Sequence, residues 1–419
     1  MKLFKRDGQR YKHSTADHLH KNKTRYIIII SVIMLIIICI VAAFYIKTRL
    51  DKDYTDVSDI TTVQQSSYTA DIAPAPLPKP SIPPCFQEGK SVYQRGVANN
   101  KFGMYMVVDS STLPLDRQMK EIAGIVNSNG GDWGYVIIHR NDLNHGEKYL
   151  KFWDEFFALS HHYHLIPIIQ IVTYTFTMES LIADLEFSAN FYNNFDWPSS
   201  CRIFVIYNET NARDFWGGDI NPEMYAEILN RAIDIFKNVN PNYFILNGGF
   251  NASSRTGPNY LDEETYLIRM NEKIPGIFSK LDGWSTHAYP QPEFSGDYHN
   301  PPSWYGVRDQ IASYQWELEL LKNHFGIAGL PVFITEGGWA HKEGNQPKWQ
   351  YKPASLTATY FKDAFENVWL PDPRIVSINP FIFNLEAFSN FNWMNSDGYC
   401  YPQCDVVKNI PKTAGSPQK

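Results

Sequence analysis

The chain has 419 residues, of which 44% are hydrophobic and 15% aromatic, enough for one large domain or two ordinary ones. Its formal net charge of −6 is unevenly distributed, because residues 1–25 contain eight Lys and Arg against two acidic residues and the remainder carries −12. An acidic main body argues against nucleic acid as a partner.

The N-terminal region has the pattern of a membrane anchor. Residues 1–25 are polar and basic, without an apolar period, and we expect a short cytoplasmic tail. Residues 26–46 form an uncharged run that would cross a bilayer core of roughly 30 Å as a helix rising about 1.5 Å per residue. A cleaved signal peptide is the alternative, but its apolar core is normally only about 7–15 residues long. Because Lys and Arg are denser before the run than after it, the positive-inside rule predicts a single-pass protein of the cell membrane, with its body outside and its lipid contact at 26–46.

Residues 47–100 are predicted to be a stalk with a lead-in to the main domain. The stretch is rich in Ser, Thr and Asp and then reads APAPLPKPSIPP. Alternating prolines favour an extended polyproline conformation with nothing to bury. We therefore expect a tether that holds the body away from the membrane.

From residue 101 onward, short apolar runs alternate with amphipathic runs. The strand-like runs lie at 102–110, 133–140, 165–172, 201–209, 243–250, 282–290, 331–339 and 374–386. The helix-like runs lie at 116–128, 146–164, 180–194, 222–239, 263–280, 307–325 and 354–370. Strict alternation of this kind predicts an α/β fold, a (β/α)8 TIM barrel over 101–395, with 396–419 as a C-terminal extension. A doubly wound open sheet is the alternative, but no glycine-rich phosphate loop follows the first strand.

Two of the predicted strands end in a carboxylate. The fourth ends in Asn208-Glu209, and the seventh ends in Glu336, within LPVFITEGGW. The functional groups of a (β/α)8 barrel lie at the carboxyl ends of its strands. Strands four and seven lie nearly opposite each other, so we expect Glu209 and Glu336 to face each other across the barrel mouth.

These motifs resemble those of the retaining (β/α)8 glycosidases that carry their acid/base on strand four and their nucleophile on strand seven, a clan that includes cellulases, mannanases, β-glucanases and β-xylosidases. The resemblance covers roughly residues 101–395. It rests on Asn208-Glu209, on Glu336 in ITEGGW, on His287-Ala288-Tyr289 in STHAYP and on Arg140 in IIHRN. Thr210 departs from the clan, in which Pro often follows the strand-four Glu.

The resemblance implies that Glu209 is the acid/base and Glu336 the nucleophile, about 5 Å apart. A carboxyl group that is partly desolvated beside a second carboxylate has its pKa raised, which suits the acid role of Glu209. Glu336 should instead be held ionised by donors, and Arg140 and Tyr289 are expected to supply them.

Substrate contacts follow from the same resemblance. Asn208 would bind the sugar hydroxyl next to the anomeric carbon, and His287 would orient Glu209 or a sugar hydroxyl. Sugars stack on aromatic rings, so tryptophans in loops after strands are candidate platforms. Four fall on the predicted top face: Trp216, Trp304, Trp339 and Trp393.

The remaining signals concern cysteines, metals and competing functions. Cys39 lies in the predicted span, and the other four cysteines allow three pairings, of which we expect Cys85–Cys201 and Cys400–Cys404. No His-x-His occurs on the first strand, so we expect no metal and no cofactor. The sequence predicts a membrane-anchored retaining glycoside hydrolase acting on an extracellular, β-linked glycan. A non-catalytic carbohydrate-binding barrel on a stalk and a transglycosylase are the alternatives.

Overall fold

Apolar residues fill both faces of most strands in the computed structural model, which describes residues 100–107, 113–140, 147–303, 305–415 and 417. Within that part the strands are β1 Gly103–Met106, β2 Gly134–Arg140, β3 Leu165–Ile171, β4 Arg202–Ile206, β5 Tyr243–Asn247, β6 Trp284–Ala288, β7 Val332–Gly337 and β8 Ile375–Ile378. The α-helices are α1 Leu115–Val126, α2 Glu147–His162, α3 Met178–Asn193, α4 Pro222–Val239, α5 Glu263–Lys273, α6 Ser313–Phe325, α7 Ala354–Ala364 and α8 Pro402–Asn409.

All paired strands are parallel, and the sheet closes on itself. Strands β1 to β5 form one sheet in chain order and β6 to β8 another. Parallel bridges join Leu246 to Gly283 and Phe102 to Ile378, which connects the two sheets at both edges. The chain therefore has the parallel-strand α/β architecture that the alternating pattern predicts.

Alternation along the strands separates two hydrophobic cores. In β2, Tyr135 and Ile137 belong to a cluster formed mostly by strand residues, whereas Val136 and Ile138 pack with the helices. Successive side chains of a strand point to opposite faces, so the first cluster fills the barrel interior and the second lies beneath the helices.

One helix start follows the sequence closely, whereas the run predicted at 307–325 begins with a 3-10 turn at Val307–Asp309 and α6 itself starts only at Ser313. Asn221 caps α4, its side chain accepting a bond of 2.9 Å from the Met224 amide, and Pro222 occupies the first turn. The predicted helix at 222–239 is thereby confirmed at both ends. The run predicted at 263–280 is wrong in extent, because α5 ends at Lys273 and a separate 3-10 turn covers Ile277–Lys280.

The eighth strand is also shorter than predicted. The run at 374–386 forms a strand only over Ile375–Ile378, and the Phe381 and Phe383 amides instead donate to Gly337 and Tyr105 carbonyls. The apolar residues that follow β8 therefore line the region next to β1 and β7 rather than prolong the sheet.

The C-terminal segment completes the helical layer. Helix α8 lies within the predicted extension at 396–419, packs against α7 and α1, and contributes Cys404 and Val407 to the core. The predicted Cys400–Cys404 disulfide is confirmed, with 5.9 Å between its Cα atoms. Cys201 is also disulfide-bonded, to neither of these two cysteines, while Cys85 lies outside the described residues.

The predicted tail, membrane span and stalk over residues 1–99 lie outside the described residues. Among the helices that are described, none is long and apolar enough to cross a membrane.

Candidate active site

Glu209 lies where the chain turns away from β4. The strand ends at Ile206, and Tyr207 and Glu209 then adopt left-handed conformations with φ of 67° and 37°. Such conformations are disfavoured for residues with a Cβ and persist where surrounding contacts hold them. Here the Glu209 amide donates a bond of 3.0 Å to the Gly249 carbonyl in the loop after β5. This turn places the Glu209 carboxylate at the mouth, with 8% of the residue exposed.

Glu336 is the penultimate residue of β7 and is also buried, at 7% exposure. The Tyr289 hydroxyl donates a hydrogen bond of 2.9 Å to Glu336 Oε2. The chain then turns through Gly338, whose φ is 109° and where an added Cβ would meet the Phe361 ring at 2.4 Å. Both the conformation and the close contact require glycine at this position.

His287 lies between the two carboxylates. Its Nδ1 is 2.9 Å from Glu209 Oε1 and 3.8 Å from Glu336 Oε2. One ligand-capable atom from each of the three residues lies within 4.8 Å of the other two. Gly249 makes this placement possible, since an added Cβ there would lie 2.4 Å from His287 Nε2. One carboxylate oxygen of Glu209 and one of Glu336 therefore lie close to each other at the barrel mouth, at a distance that agrees with the expectation.

Burial and mutual charge set the protonation of this cluster. Burial raises the pKa of Glu336 to about 7; the charge of Glu209 adds to this, while His287 and the Tyr289 hydrogen bond oppose it. Burial alone would lower the pKa of His287, but the Glu336 charge and the hydrogen bond with Glu209 outweigh it and raise that pKa. The sequence predicts that donors hold Glu336 ionised; Tyr289 is one such donor, and burial opposes it.

Asn208 is held by a chain of side chains that the sequence did not single out. Gln170 Nε2 donates a hydrogen bond of 2.8 Å to Asn208 Oδ1, and Gln170 Oε1 in turn accepts a hydrogen bond from the Tyr105 hydroxyl. Burial, followed by the Glu336 charge, raises the pKa of Tyr105 well above its usual range, so the phenol remains a donor. This arrangement holds the side-chain carbonyl of Asn208 in place.

Of the four predicted tryptophan platforms, three are corrected. Trp216, Trp339 and Trp393 are at most 2% exposed and offer no ring face to a ligand. Trp216 packs against Phe176, and Trp339 donates its indole N–H to the Gly296 carbonyl at 2.8 Å. The loops after the strands fold back over these rings, which joins them to the outer core.

Two predicted contacts cannot be placed. Trp304 lies outside the described residues, and so does the side chain of Arg140, whose backbone ends β2.

An aromatic path that the sequence analysis missed leads from the cluster to the surface. The Phe381 ring centroid lies 6.5 Å from that of Tyr289 and 5.4 Å from that of Phe388. Phe388 is 46% exposed. The available signal was the aromatic residue three positions after the last strand, in SINPF.

Glu209, His287 and Glu336 also form the one group in the described residues whose spacing could hold a metal ion. His287 Nδ1 is already within hydrogen-bond distance of Glu209, so the nitrogen that would bind a metal is directed at a carboxylate.

The chain has a parallel-strand α/β fold, and the solved structures similar to it include TIM-barrel glycoside hydrolases. A monomeric β-xylosidase from Caulobacter crescentus CB15 matches with a TM-score of 0.52 and 13% identity, over 74% of this chain and 67% of that one. An α-L-arabinofuranosidase from Thermotoga maritima matches with a TM-score of 0.51 and 13% identity, over 77% of this chain and 72% of that one.

The GH39 enzyme from Xanthomonas axonopodis pv. citri has a TM-score of 0.50 and 11% identity, over 74% of this chain and 65% of its own length, slightly less than two thirds. No protein-family model matches the sequence, and no curated protein matches it. At these identities the likeness establishes the fold.

Proposed function

We propose that this protein is a retaining glycoside hydrolase, with Glu209 as acid/base and Glu336 as nucleophile. The observation that carries the proposal is the approach of one oxygen from each carboxylate to within 4.8 Å. Retaining enzymes hold their two carboxyl groups about 5–5.5 Å apart, whereas inverting enzymes need about 6.5–9.5 Å to admit a water molecule. The spacing therefore favours direct attack by a carboxylate on the sugar.

In the first step Glu209 gives its proton to the leaving glycosidic oxygen while Glu336 attacks the anomeric carbon, forming a glycosyl ester. In the second step Glu209 takes a proton from water, which displaces Glu336 and restores both groups. The assignment of roles rests on the strand-four and strand-seven resemblance. The Tyr289 hydrogen bond to Glu336 suits a residue that must carry negative charge in the free enzyme.

The other polar groups have supporting roles in this mechanism. Charged His287 would stabilise the ionised form of Glu336 and orient Glu209, to which it is hydrogen-bonded. Asn208, held by Gln170, would direct its NH2 group to the hydroxyl next to the anomeric carbon. A contact there strengthens as positive charge develops on the sugar ring.

The substrate is proposed to be an extracellular oligo- or polysaccharide, and the protein to be a single-pass membrane protein. The anchor rests on the uncharged run at 26–46 and the basic residues before it. Resistance of the full-length chain to extraction by alkaline carbonate, with protease access to the body from outside intact cells, would support this topology. Release of the chain by carbonate would reject it.

The catalytic proposal is tested by trapping. The full-length chain in detergent is incubated with 2-fluoro glycosyl fluorides, including the xylosyl and arabinofuranosyl forms suggested by the two similar enzymes. We expect a mass increase of one fluorosugar, located on Glu336 by peptide mass analysis and absent from Glu336→Gln. Label on another residue of an active preparation would reject the assigned roles. Transfer of the sugar to added glycan rather than water would instead indicate a transglycosylase.

A further inference from the structure

A second pair of glutamates lies behind the candidate active site, between β6 and the helices. Glu263 begins α5 and Glu317 lies in the middle of α6, and both residues are 0% exposed. Within the described residues no donor reaches either oxygen of Glu263 or Oε1 of Glu317. The two carboxyl groups lie within hydrogen-bond reach of each other. A bond between them requires that one of them carries a proton.

Two ionised carboxylates at this depth would repel each other without water to screen them. Burial, then the Glu317 charge, raises the pKa of Glu263 well above its usual range. Burial raises the pKa of Glu317 to about 7, against hydrogen bonds that favour its ionised form. Of the two groups, Glu263 is therefore the one that keeps its proton and can donate, and Glu317 is the one that ionises first.

The charged member of the pair is linked to the strand that carries His287. The Thr286 hydroxyl donates a hydrogen bond to Glu317 Oε2. Side chains alternate along a strand, so Thr286 faces the helices while His287 faces the barrel mouth. Helix α6 also touches the strand through Ser313, whose hydroxyl donates a hydrogen bond of 3.3 Å to the His287 carbonyl. Glu317 adds to the negative charge that favours protonated His287.

Other polar groups surround the pair. Arg308 opposes the negative charge, but it is paired with Asp262 at 2.8 Å. The Trp284 indole N–H faces Glu317 and favours its ionised form. Tyr266, on the same helix as Glu263, lies beside Thr210, the neighbour of Glu209. The net charge next to β6 is thus that of Glu317.

We propose that Glu263 and Glu317 keep one negative charge behind β6, and that this charge positions His287 as the protonated bridge between Glu209 and Glu336. Glu317 is a positioning residue, since it reaches the reacting groups only through β6. The inference rests on the proposed function for its catalytic consequence, whereas its effect on His287 does not depend on that function. The consequence is that a protonated His287 stabilises the ionised form of Glu336.

The test follows the titration of His287 by NMR, using full-length chain in detergent with labelled histidine and His287→Asn for assignment. In Glu317→Gln the charge is lost, because Glu263 remains protonated, and we expect the pKa of His287 to fall by about half a unit or more, roughly threefold in proton affinity. In Glu263→Gln the new amide still donates to Glu317, so the charge stays and the His287 titration should remain unchanged. Glu319→Gln, an exposed change on the same helix, is the matched control.

An unchanged His287 titration in folded Glu317→Gln would overturn the inference, and so would an equal shift in Glu263→Gln. If Glu317→Gln does not fold, Thr286→Val removes the hydrogen bond to the strand and should lower the pKa of His287 in the same direction; no shift there overturns the inference as well. Because the titration needs no substrate, a shifted His287 in a protein that cleaves no glycan would reject the proposed function and leave the charge relationship standing.

Discussion

The Tyr289 hydroxyl donates a hydrogen bond of 2.9 Å to Glu336 Oε2. Burial, then the charge of Glu336, raises the pKa of Tyr289 well above its usual range, so the phenol stays protonated as a donor. A hydrogen bond to a charged acceptor contributes about 1.5–3 kcal/mol. We therefore expect Tyr289→Phe to lower kcat/KM by roughly tenfold to a hundredfold near neutral pH. The matched control is Tyr399→Phe, because Tyr399 is 72% exposed.

The same substitution should also move the pH profile. Without the donor, the ionised form of Glu336 is less stable, so the acidic limb of kcat/KM shifts to higher pH. A uniform loss at every pH, with the limb unmoved, would mean that Tyr289 acts on substrate binding rather than on Glu336.

The wild-type pH profile follows from the raised pKa of Glu336, which is about 7 in the free protein. A nucleophile must be ionised, so kcat/KM should rise as the pH increases through about 7 and fall roughly tenfold per unit below that. Steady-state rates between pH 4.5 and 9 on an aryl glycoside measure this limb. An acidic limb near pH 4.5 would show that the site ionises Glu336 more easily than its burial indicates.

Much of this arrangement could be predicted from the sequence, because strand ends and helix starts are local signals. Asn208, Glu209 and Glu336 follow apolar runs directly, and His287 lies within one, so their meeting at one barrel end needs only the strand order. The tryptophans were placed wrongly because loop position does not determine whether a loop folds back over a ring. The protonation of Glu336 depends on its depth in the mouth, which no local pattern encodes.

The buried glutamate pair illustrates the other limit. Glu263 directly follows the cap Asp262, where an acidic residue is expected to interact with the helix N-terminus and to be solvated. Glu317 falls on the same face as the buried residues Tyr314, Leu320 and Leu321, so the helical phase of α6 did carry a signal. Only tertiary packing brings these two acids, one on α5 and one on α6, together as a pair.

Stability should depend on pH through Glu263. Its pKa is raised in the folded state, so the folded protein binds a proton that the unfolded chain releases above about pH 4.5. The contribution of this group is thus fully present at low pH and is lost as the pH rises towards the raised value. We expect Glu263→Gln to increase the free energy of unfolding at pH 8 relative to wild type, and to change it little at pH 4.

Urea unfolding at the two pH values measures this difference. Glu272→Gln, an exposed change on the same helix, should leave it unaltered. If Glu263→Gln destabilised the protein equally at both pH values, the carboxyl of Glu263 would be contributing packing or hydrogen bonds rather than a protonation cost.

Gly249 provides a steric test of the His287 position. An added Cβ would lie 2.3 Å from His287 Cδ2 and 2.4 Å from Nε2, well inside contact distance, so the ring must move from its place between the carboxylates. We expect Gly249→Ala to lower kcat/KM by more than about tenfold while costing roughly 1–3 kcal/mol of stability, as overpacking commonly does. Gly124→Ala, in helix α1 with open space around the new methyl group, should leave activity unchanged and increase the free energy of unfolding by about 0.5–1 kcal/mol. Activity and urea unfolding measured on both variants separate the two effects, and full activity in a folded Gly249→Ala protein would show that catalysis does not need His287 where it lies.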